Sequence, residues 1–101
     1  MLRAVFVRTL KPGVTYEQFK EAWVPEGLKG DYPAKVRVAR NLANDRQVIT
    51  ILELDVSASE FKAASASLTR PDALERLGEI VETTQLEDLY EDIFDEASLS
   101  R

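Results

Sequence analysis

Cysteine and histidine are both missing from this chain, and each absence excludes a group of chemistries. Without cysteine there are no disulfides, no zinc–thiolate sites and no thiol nucleophile. Without histidine the chain lacks the commonest general base, the commonest transition-metal ligand and the usual axial ligand of haem. The nucleotide-binding and hydrolase motifs P-loop, GxGxxG, nucleophile elbow and HExxH are also absent. We therefore predict a protein without a metal or a cofactor.

Long apolar runs are missing as well, since none approaches the roughly 18 residues of a membrane span. The first residues run directly into a strand pattern and show no signal-peptide cleavage site. From these two observations we expect a cytoplasmic protein that has no membrane partner. A net charge of −5 argues against a nucleic-acid partner, whose phosphates require a basic surface.

The charge is divided unevenly along the chain. Residues 1–50 carry nine Lys/Arg and five Asp/Glu (net +4), whereas residues 51–101 carry four and thirteen (net −9). A basic half and an acidic half attract each other, either within one chain or across a dimer. Two faces that are merely solvated differently would produce the same distribution.

What is present is enough for one small globular domain. The 101 residues, 45% of them hydrophobic, fit a single domain over residues 1–101. A domain of this size still exposes roughly a third of the surface that its unfolded chain shows. Such domains often gain stability by pairing with a second copy, so we expect a homodimer, built either through a face of the sheet or through the C-terminal segment.

The first half of the chain predicts a strand, a helix and a hairpin. Residues 3–10 (RAVFVRTL) are typical of a strand, and Thr15 with Gln18 forms a capping box that opens a helix. Apolar residues recur at helical spacing after it, at Tyr16, Phe19, Ala22 and Trp23. Prolines and glycines in residues 25–34 predict a loop. The strands predicted for residues 35–42 and 47–56 are joined by a tight turn at Asn44-Asp45.

The second half predicts two helices and one ambiguous segment. Ser57 and Glu60 form a second capping box, which opens a helix whose apolar face carries Phe61, Ala64 and Leu68. Pro71 interrupts this helix, and a further helix follows through Leu74, Leu77 and Val81. Residues 83–94 have helical spacing of apolar side chains, but their two threonines and their place in the element order favour a strand. Both readings of this segment remain open at this point.

The predicted order is therefore βαββαβ, an α+β ferredoxin-like fold with a four-stranded antiparallel sheet that has helices on one face. In the second hairpin strand, Val48, Thr50, Leu52 and Leu54 should face the helices, leaving Ile49, Ile51, Glu53 and Asp55 on the other face. In the first strand we expect Val5 and Val7 to face the helices and Ala4, Phe6 and Arg8 to lie opposite. The second face would then be half apolar, which suits a dimer that encloses a pocket.

Three features of the chain can be compared with known families: its element order, the helix from Thr15 to Trp23, and the proline-interrupted helical region ASASLTRPDALERLGEIV. In these features the chain resembles the dimeric α+β barrel superfamily. Its character is most similar to the antibiotic-biosynthesis-monooxygenase-like proteins. The resemblance implies two ferredoxin-like subunits packed sheet to sheet, and it implies cofactor-free oxidation of aromatic substrates inside the barrel. The missing histidine puts the chemistry of the haem-handling relatives out of reach.

Candidate site residues follow from the predicted second face. Arg8 could anchor an anionic or phenolate oxygen and Glu53 could act as a base, with a structural ion pair at the dimer seam as the alternative reading. Tyr90 could donate a proton into the cavity, or it could be an ordinary half-buried tyrosine. Asp55 is a further candidate proton acceptor.

The predicted wall of the pocket is apolar. Phe6, Ile49 and Ile51 would supply it, and Trp23 could cover an aromatic ligand or simply pack in the core. The acidic stretch between Glu87 and Glu96 lacks the glycine and the spacing of an EF-hand and is interpreted as a solvated face.

Two functions are compatible with these residues. The first is a small-molecule-binding barrel, including a cofactor-independent monooxygenase-like enzyme that acts on an aromatic or polyketide-like compound. The alternative is a non-catalytic, stress-associated or structural barrel whose interior is merely packed. A cavity of roughly 300 Å³ or more beside converging polar groups would distinguish the first from the second.

Overall fold

The computed structural model describes residues 1–25 and 32–99. Its strands are β1 (Leu2–Leu10), β2 (Lys35–Asn41), β3 (Asn44–Leu54) and β4 (Val81–Glu91), and its helices are α1 (Tyr16–Trp23), α2 (Phe61–Ser65) and α3 (Ala73–Ile80). A short 3-10 helix, Glu96–Leu99, follows β4. The strands form one sheet in the order β2-β3-β1-β4, and every neighbouring pair is antiparallel. The predicted βαββαβ fold is confirmed, with the second helical region split in two.

The core lies between one face of the sheet and the helices. Its buried residues come from alternate positions of β1 and β3 and from the inward sides of the helical segments: Ala4, Leu10, Phe19, Ala22, Trp23, Val48, Leu52, Leu54, Leu68, Ala73 and Leu77. We call the covered side of the sheet the helix face and the other side the open face. The face predicted for β3 is confirmed, because Val48, Thr50, Leu52 and Leu54 are all buried.

The face predicted for β1 is wrong by one residue. Ala4 pairs with Leu52, Phe6 with Thr50 and Arg8 with Val48, and directly opposed residues of an antiparallel pair share a face. Ala4, Phe6 and Arg8 therefore lie on the helix face, while Val5 and Val7 lie on the open face. The physical reason is that both alternate sets of β1 are apolar, so hydrophobicity alone could not choose between them.

Capping explains where α1 begins. The Thr15 hydroxyl accepts a hydrogen bond from the Gln18 amide (3.2 Å), and the Thr15 amide donates to the Gln18 side-chain oxygen (2.8 Å). This confirms the first capping box. Phe19, Ala22 and Trp23 are buried as predicted, but Tyr16 is 55% exposed and does not belong to the apolar face.

The second capping box forms only in part. The Glu60 carboxylate accepts from the Ser57 amide (3.0 Å), yet α2 begins only at Phe61 and its N-cap has no side-chain hydrogen bond. Phe61, Ala64 and Leu68 do pack on the core. In α3 the side chain of Leu74 is exposed, and Val81 is already the first residue of β4.

Two further boundaries differ from the sequence prediction. The hairpin turn lies at residues 42–43, where the Asn41 side chain accepts from the Ala43 amide (2.7 Å), so Asn44 begins β3 instead of forming the turn. The ambiguous segment is a strand through Glu91, because its backbone pairs with β1 along most of its length. Of the loop predicted for residues 25–34, residues 26–31 lie outside the described part. No helix of the described part is long and apolar enough to cross a membrane.

Candidate functional site

Arg8 and Glu53 do not form one site within a chain, because the structure places them on opposite faces of the sheet. Glu53 pairs in register with Arg3 on the open face. The Arg3 guanidinium contacts the Glu53 carboxylate (2.5 Å) and also the Asp92 carboxylate (2.7 Å). The structural ion pair of Glu53 is therefore formed with Arg3 and not with Arg8.

The Arg3 cluster behaves as a structural ion-pair network at the edge of the open face. Hydrogen bonding from Arg3 holds the pKa of Asp92 below its ordinary value, and the same bond raises the pKa of Arg3. Tyr90 lies beside Arg3 in the sheet and is 46% exposed. These groups face the surface and not an enclosed cavity.

The other residues predicted for the pocket also lie in different parts of the structure. Ile49 and Ile51 are half-buried on the open face, opposite Val7 and Val5. Trp23 is buried in the core against Phe19 and Tyr32, with ring centroids 6.3 Å apart in each pair, and it is not among the residues that line the cavities described next. Asp55 is exposed just after β3 ends.

The helix face carries a groove along β1 and β4, which we call the β1–β4 groove. Its first part is a cavity of about 480 Å³ lined by Ala4, Phe6, Phe61, Glu87, Asp88 and Leu89. Its second part is a cavity of about 250 Å³ whose lining includes Arg8 and Leu77, and Glu87 lines both. Ala4 of β1 and Phe61 of α2 both line this first part, so it lies between the sheet and the first residue of α2.

Arg8 is the residue of the groove that best indicates which ligand could bind there. Its guanidinium carbon lies 4.5 Å from the centroid of the Phe6 ring, a cation–π contact between neighbours on one face of β1. Arg8 is half-buried, and burial lowers its pKa while the negative charge of Glu87 opposes that shift. Among residues 1–25 and 32–99, no group forms a hydrogen bond or an ion pair with Arg8. A half-buried cation without a paired group is uncommon in a merely structural position.

The lining of the groove contains one cation, Arg8, three acidic residues, Glu82, Glu87 and Asp88, and two aromatic rings. Arg8 can donate to an anionic oxygen, Glu87 can accept a proton or a hydrogen bond, and Phe6 and Phe61 offer apolar surface to a planar molecule. No three acidic side chains of the described part lie close enough to hold a metal ion.

A larger cavity of about 650 Å³ lies on the helix face near the hairpin, lined in part by Tyr16, Arg40 and Arg46. It is a weaker candidate despite its size. Arg46 is already occupied by the Leu10 carbonyl (3.0 Å) and the Glu82 carboxylate (3.2 Å), and Tyr16 and Arg40 are exposed. The cavity therefore has no unpaired polar group that burial holds in place.

Sequence reasoning missed Phe61 and Glu87 as site residues. The sequence pattern assigns Phe61 only to the core face of its helix, and Glu87 only to a solvated acidic stretch. Alternation along β4 contained the signal, since it places Glu87 and Leu89 on one face and Leu86, Asp88 and Tyr90 on the other. That signal becomes usable only once the segment is known to be a strand.

Comparison with known proteins supports the fold. No family model matches the chain, and no curated protein matches it. Among solved structures, a proposed antibiotic biosynthesis monooxygenase from Chloroflexus aurantiacus J-10-fl aligns with a TM-score of 0.62 and 11% identity over 93% of this chain and 94% of that one. A dimeric protein of unknown function with a ferredoxin-like fold, from Bacteroides fragilis NCTC 9343, aligns with a TM-score of 0.53 and 20% identity over 90% and 95%. At these identities the likeness shows the ferredoxin-like fold alone.

Proposed function

We propose that this protein binds a small aromatic or polyketide-like compound bearing an anionic or phenolic oxygen, and that it does so in the β1–β4 groove. The observation that carries the proposal is Arg8, a half-buried guanidinium that stacks on Phe6 and has no paired group in the described part of the chain. Such a cation can donate hydrogen bonds to an anionic or phenolic oxygen of a ligand.

The dimensions of the groove support a ligand of this class. Its larger cavity, about 480 Å³, is within the range of about 300–1,000 Å³ that small-molecule sites occupy. Phe6 and Phe61 can contact the two sides or edges of an aromatic ring, and Arg8 can hydrogen-bond an oxygen at one end of it.

The same arrangement supports a cofactor-independent oxidation of the monooxygenase type. Glu87 would take a proton from an acidic ring carbon of the CH₂ type, and Arg8 would stabilise the negative charge that moves onto the ligand oxygen. The resulting carbanion passes electrons to dioxygen, one oxygen atom stays on that carbon as a carbonyl, and the other leaves with both hydrogens as water. The similarity of fold to a proposed monooxygenase agrees with this step without assigning it.

Binding is tested by titrating a panel of phenols and aromatic acids while recording calorimetric heat. For a panel member that binds, Arg8→Ala should weaken binding about tenfold or more, because it removes a charged hydrogen bond. Phe61→Ala should also weaken it. Arg40→Ala is the matched control, since it removes an exposed arginine from the hairpin cavity instead. Thermal unfolding of each variant separates lost binding from lost fold.

Two outcomes would contradict the proposal: no compound binds the folded protein, or Arg40→Ala weakens binding while Arg8→Ala does not. Oxygen uptake with the bound compounds then separates an enzyme from a non-catalytic binding protein. In the enzymatic case Glu87→Gln should abolish uptake while leaving binding largely intact.

The proposal includes a homodimer formed through the open face of the sheet. Half-buried Val5, Val7, Ile49 and Ile51 form a continuous apolar centre on that face, which a single chain leaves in contact with water. A second copy would cover this surface. One of the structural neighbours is itself dimeric, although the likeness extends to the fold alone.

A further inference from the structure

The open face carries its charges in an ordered pattern that bears on how two copies pair. Strand register aligns its residues into three rows that cross the sheet in the order β2, β3, β1, β4. The rows are Lys35–Glu53–Arg3–Tyr90, Arg37–Ile51–Val5–Asp88 and Ala39–Ile49–Val7–Leu86. In the first two rows the β2 edge carries a cation and the β4 edge carries Tyr90 or Asp88. The centre holds the Arg3–Glu53 pair in the first row and is apolar in the other two.

Two symmetric dimers can bring this face against itself. If the two-fold axis runs parallel to the strands, each row lies opposite its own copy with the order of the strands reversed, so that β2 faces β4 of the partner. If the axis runs across the strands, each strand lies opposite its own copy, so that β2 faces β2. Aligned sheet packing keeps the strand directions within about 30° of each other in either case.

Only the first arrangement makes the face complementary to itself. Reversing the middle row places Arg37 opposite Asp88 of the partner subunit at both ends and keeps apolar residues opposite apolar residues. Reversing the first row places Arg3 opposite Glu53 of the partner subunit. The second arrangement also reverses the order of the rows: about the middle row it places Arg37 opposite Arg37 of the partner subunit and Asp88 opposite Asp88 of the partner subunit, which is repulsive at both edges.

Within the described part of one chain, the charges at the two edges of the open face are available to contact a second chain. Arg37 and Asp88 are both exposed, and neither forms an ion pair or a hydrogen bond with a side chain of residues 1–25 or 32–99. They lie on opposite edges of the sheet, so they cannot meet within one chain. Arg3 and Glu53 already contact each other, and reversal would bring two such pairs into one four-charge network.

We infer that two copies pack open face to open face about an axis parallel to the strands, with Arg37 of each chain against Asp88 of its partner subunit. This inference rests on the homodimer proposed above and specifies its geometry. It also gives a reason for the uneven charge along the sequence, because the basic β2 comes from the first half of the chain and the acidic β4 from the second.

Site-specific cross-linking tests the geometry directly, because the chain has no cysteine of its own. One chain carries Arg37→Cys. A second chain carries Asp88→Cys and a tag, so that its greater length distinguishes it from the first. The two proteins are mixed, allowed to exchange subunits and treated with a short bismaleimide. We expect a cross-linked product that contains one chain of each kind. Either variant alone should give almost none, because copies of the same edge would be separated laterally by three strand spacings, about 14 Å.

In the control mixture, Lys20→Cys replaces Asp88→Cys. Lys20 lies on the exposed side of α1, so this variant should give no product with Arg37→Cys. Light scattering of every sample before cross-linking keeps two failures apart. A monomer in all samples overturns the homodimer itself, and the pairing with it. A dimer in which Arg37→Cys cross-links to itself, or in which the mixture gives no mixed product, overturns only the pairing.

Discussion

Tyr32 connects the chain after α1 to the segment between α2 and α3. Its hydroxyl donates a hydrogen bond to the Leu68 carbonyl, and its ring meets Trp23 edge-on at a centroid distance of 6.3 Å. The side chain is half-buried, and this burial raises the pKa of Tyr32 to about 12, because the phenolate would lose hydrating water. The stability that this packing provides therefore depends on whether the Tyr32 hydroxyl is protonated.

At the residue scale, Tyr32 should make stability fall at high pH. The unfolded chain releases the tyrosine proton near pH 10, whereas the folded chain keeps it until about 12, so the stabilisation is complete below about pH 10 and is lost between about 10 and 12. Tyr32→Phe should cost about 1 kcal/mol at neutral pH, and its deficit relative to the wild type should shrink across that window. Urea unfolding of both proteins at several pH values measures this difference. A deficit that stays constant with pH would show that the hydroxyl does not titrate as described.

At the scale of elements, the two capping sequences differ in what they do. Thr15 and Gln18 exchange hydrogen bonds in both directions at the start of α1, whereas Glu60 reaches back to Ser57 ahead of a helix that begins only at Phe61. The same sequence pattern thus caps a helix in one place and stabilises a turn in the other.

Thr15→Ala should therefore destabilise the protein by about 1 kcal/mol, since it leaves an amide of the first turn of α1 without its acceptor. Ser57→Ala is the matched control and should cost less, because the Ser57 hydroxyl donates to a carboxylate and caps no helix amide. Chemical unfolding of the two variants gives the comparison. Equal costs would mean that α1 does not depend on its cap.

At the scale of the whole molecule, the described residues leave one sheet face uncovered. The helices bury the helix face, and the apolar centre of the open face needs a second subunit if it is to leave water. We therefore expect the proposed dimer to bring the two apolar centres together and to pair the charged edges between the subunits.

Light scattering at micromolar concentration should accordingly give about twice the 11.4 kDa mass of the chain. Val7→Lys should shift the protein to the monomer and raise the dissociation constant at least about a hundredfold, because each dimer would bury two unpaired ammonium groups. Leu42→Lys is the control, since that leucine is fully exposed in the hairpin turn. A monomeric wild type, or a Val7→Lys variant that remains dimeric, would contradict the open-face dimer.

The sequence by itself determined the order of the elements from β1 to α3, the cap of α1 and the faces of β3. These features depend on local signals: the pairing of Thr15 with Gln18, the alternation that marks β2 and β3 as strands, and a β3 whose two faces differ in hydrophobicity. Where a strand has one clearly apolar face, alternation fixes which side is buried.

Only the tertiary structure decided the faces of β1, the nature of residues 81–91 and hence the candidate site. β1 is apolar on both faces, so placing Phe6 and Arg8 on the helix face required the pairing of Arg8 with Val48. The spacing of Leu86, Leu89 and Tyr90 suits a helix, and the open edge of β1 made the segment a strand by pairing with its backbone. Glu87 lies in one groove with Arg8 because β4 pairs with β1 in the register that opposes Phe6 and Glu87. The hydrophobic pattern fixes register where one face of a strand is clearly apolar, and β1 is apolar on both faces.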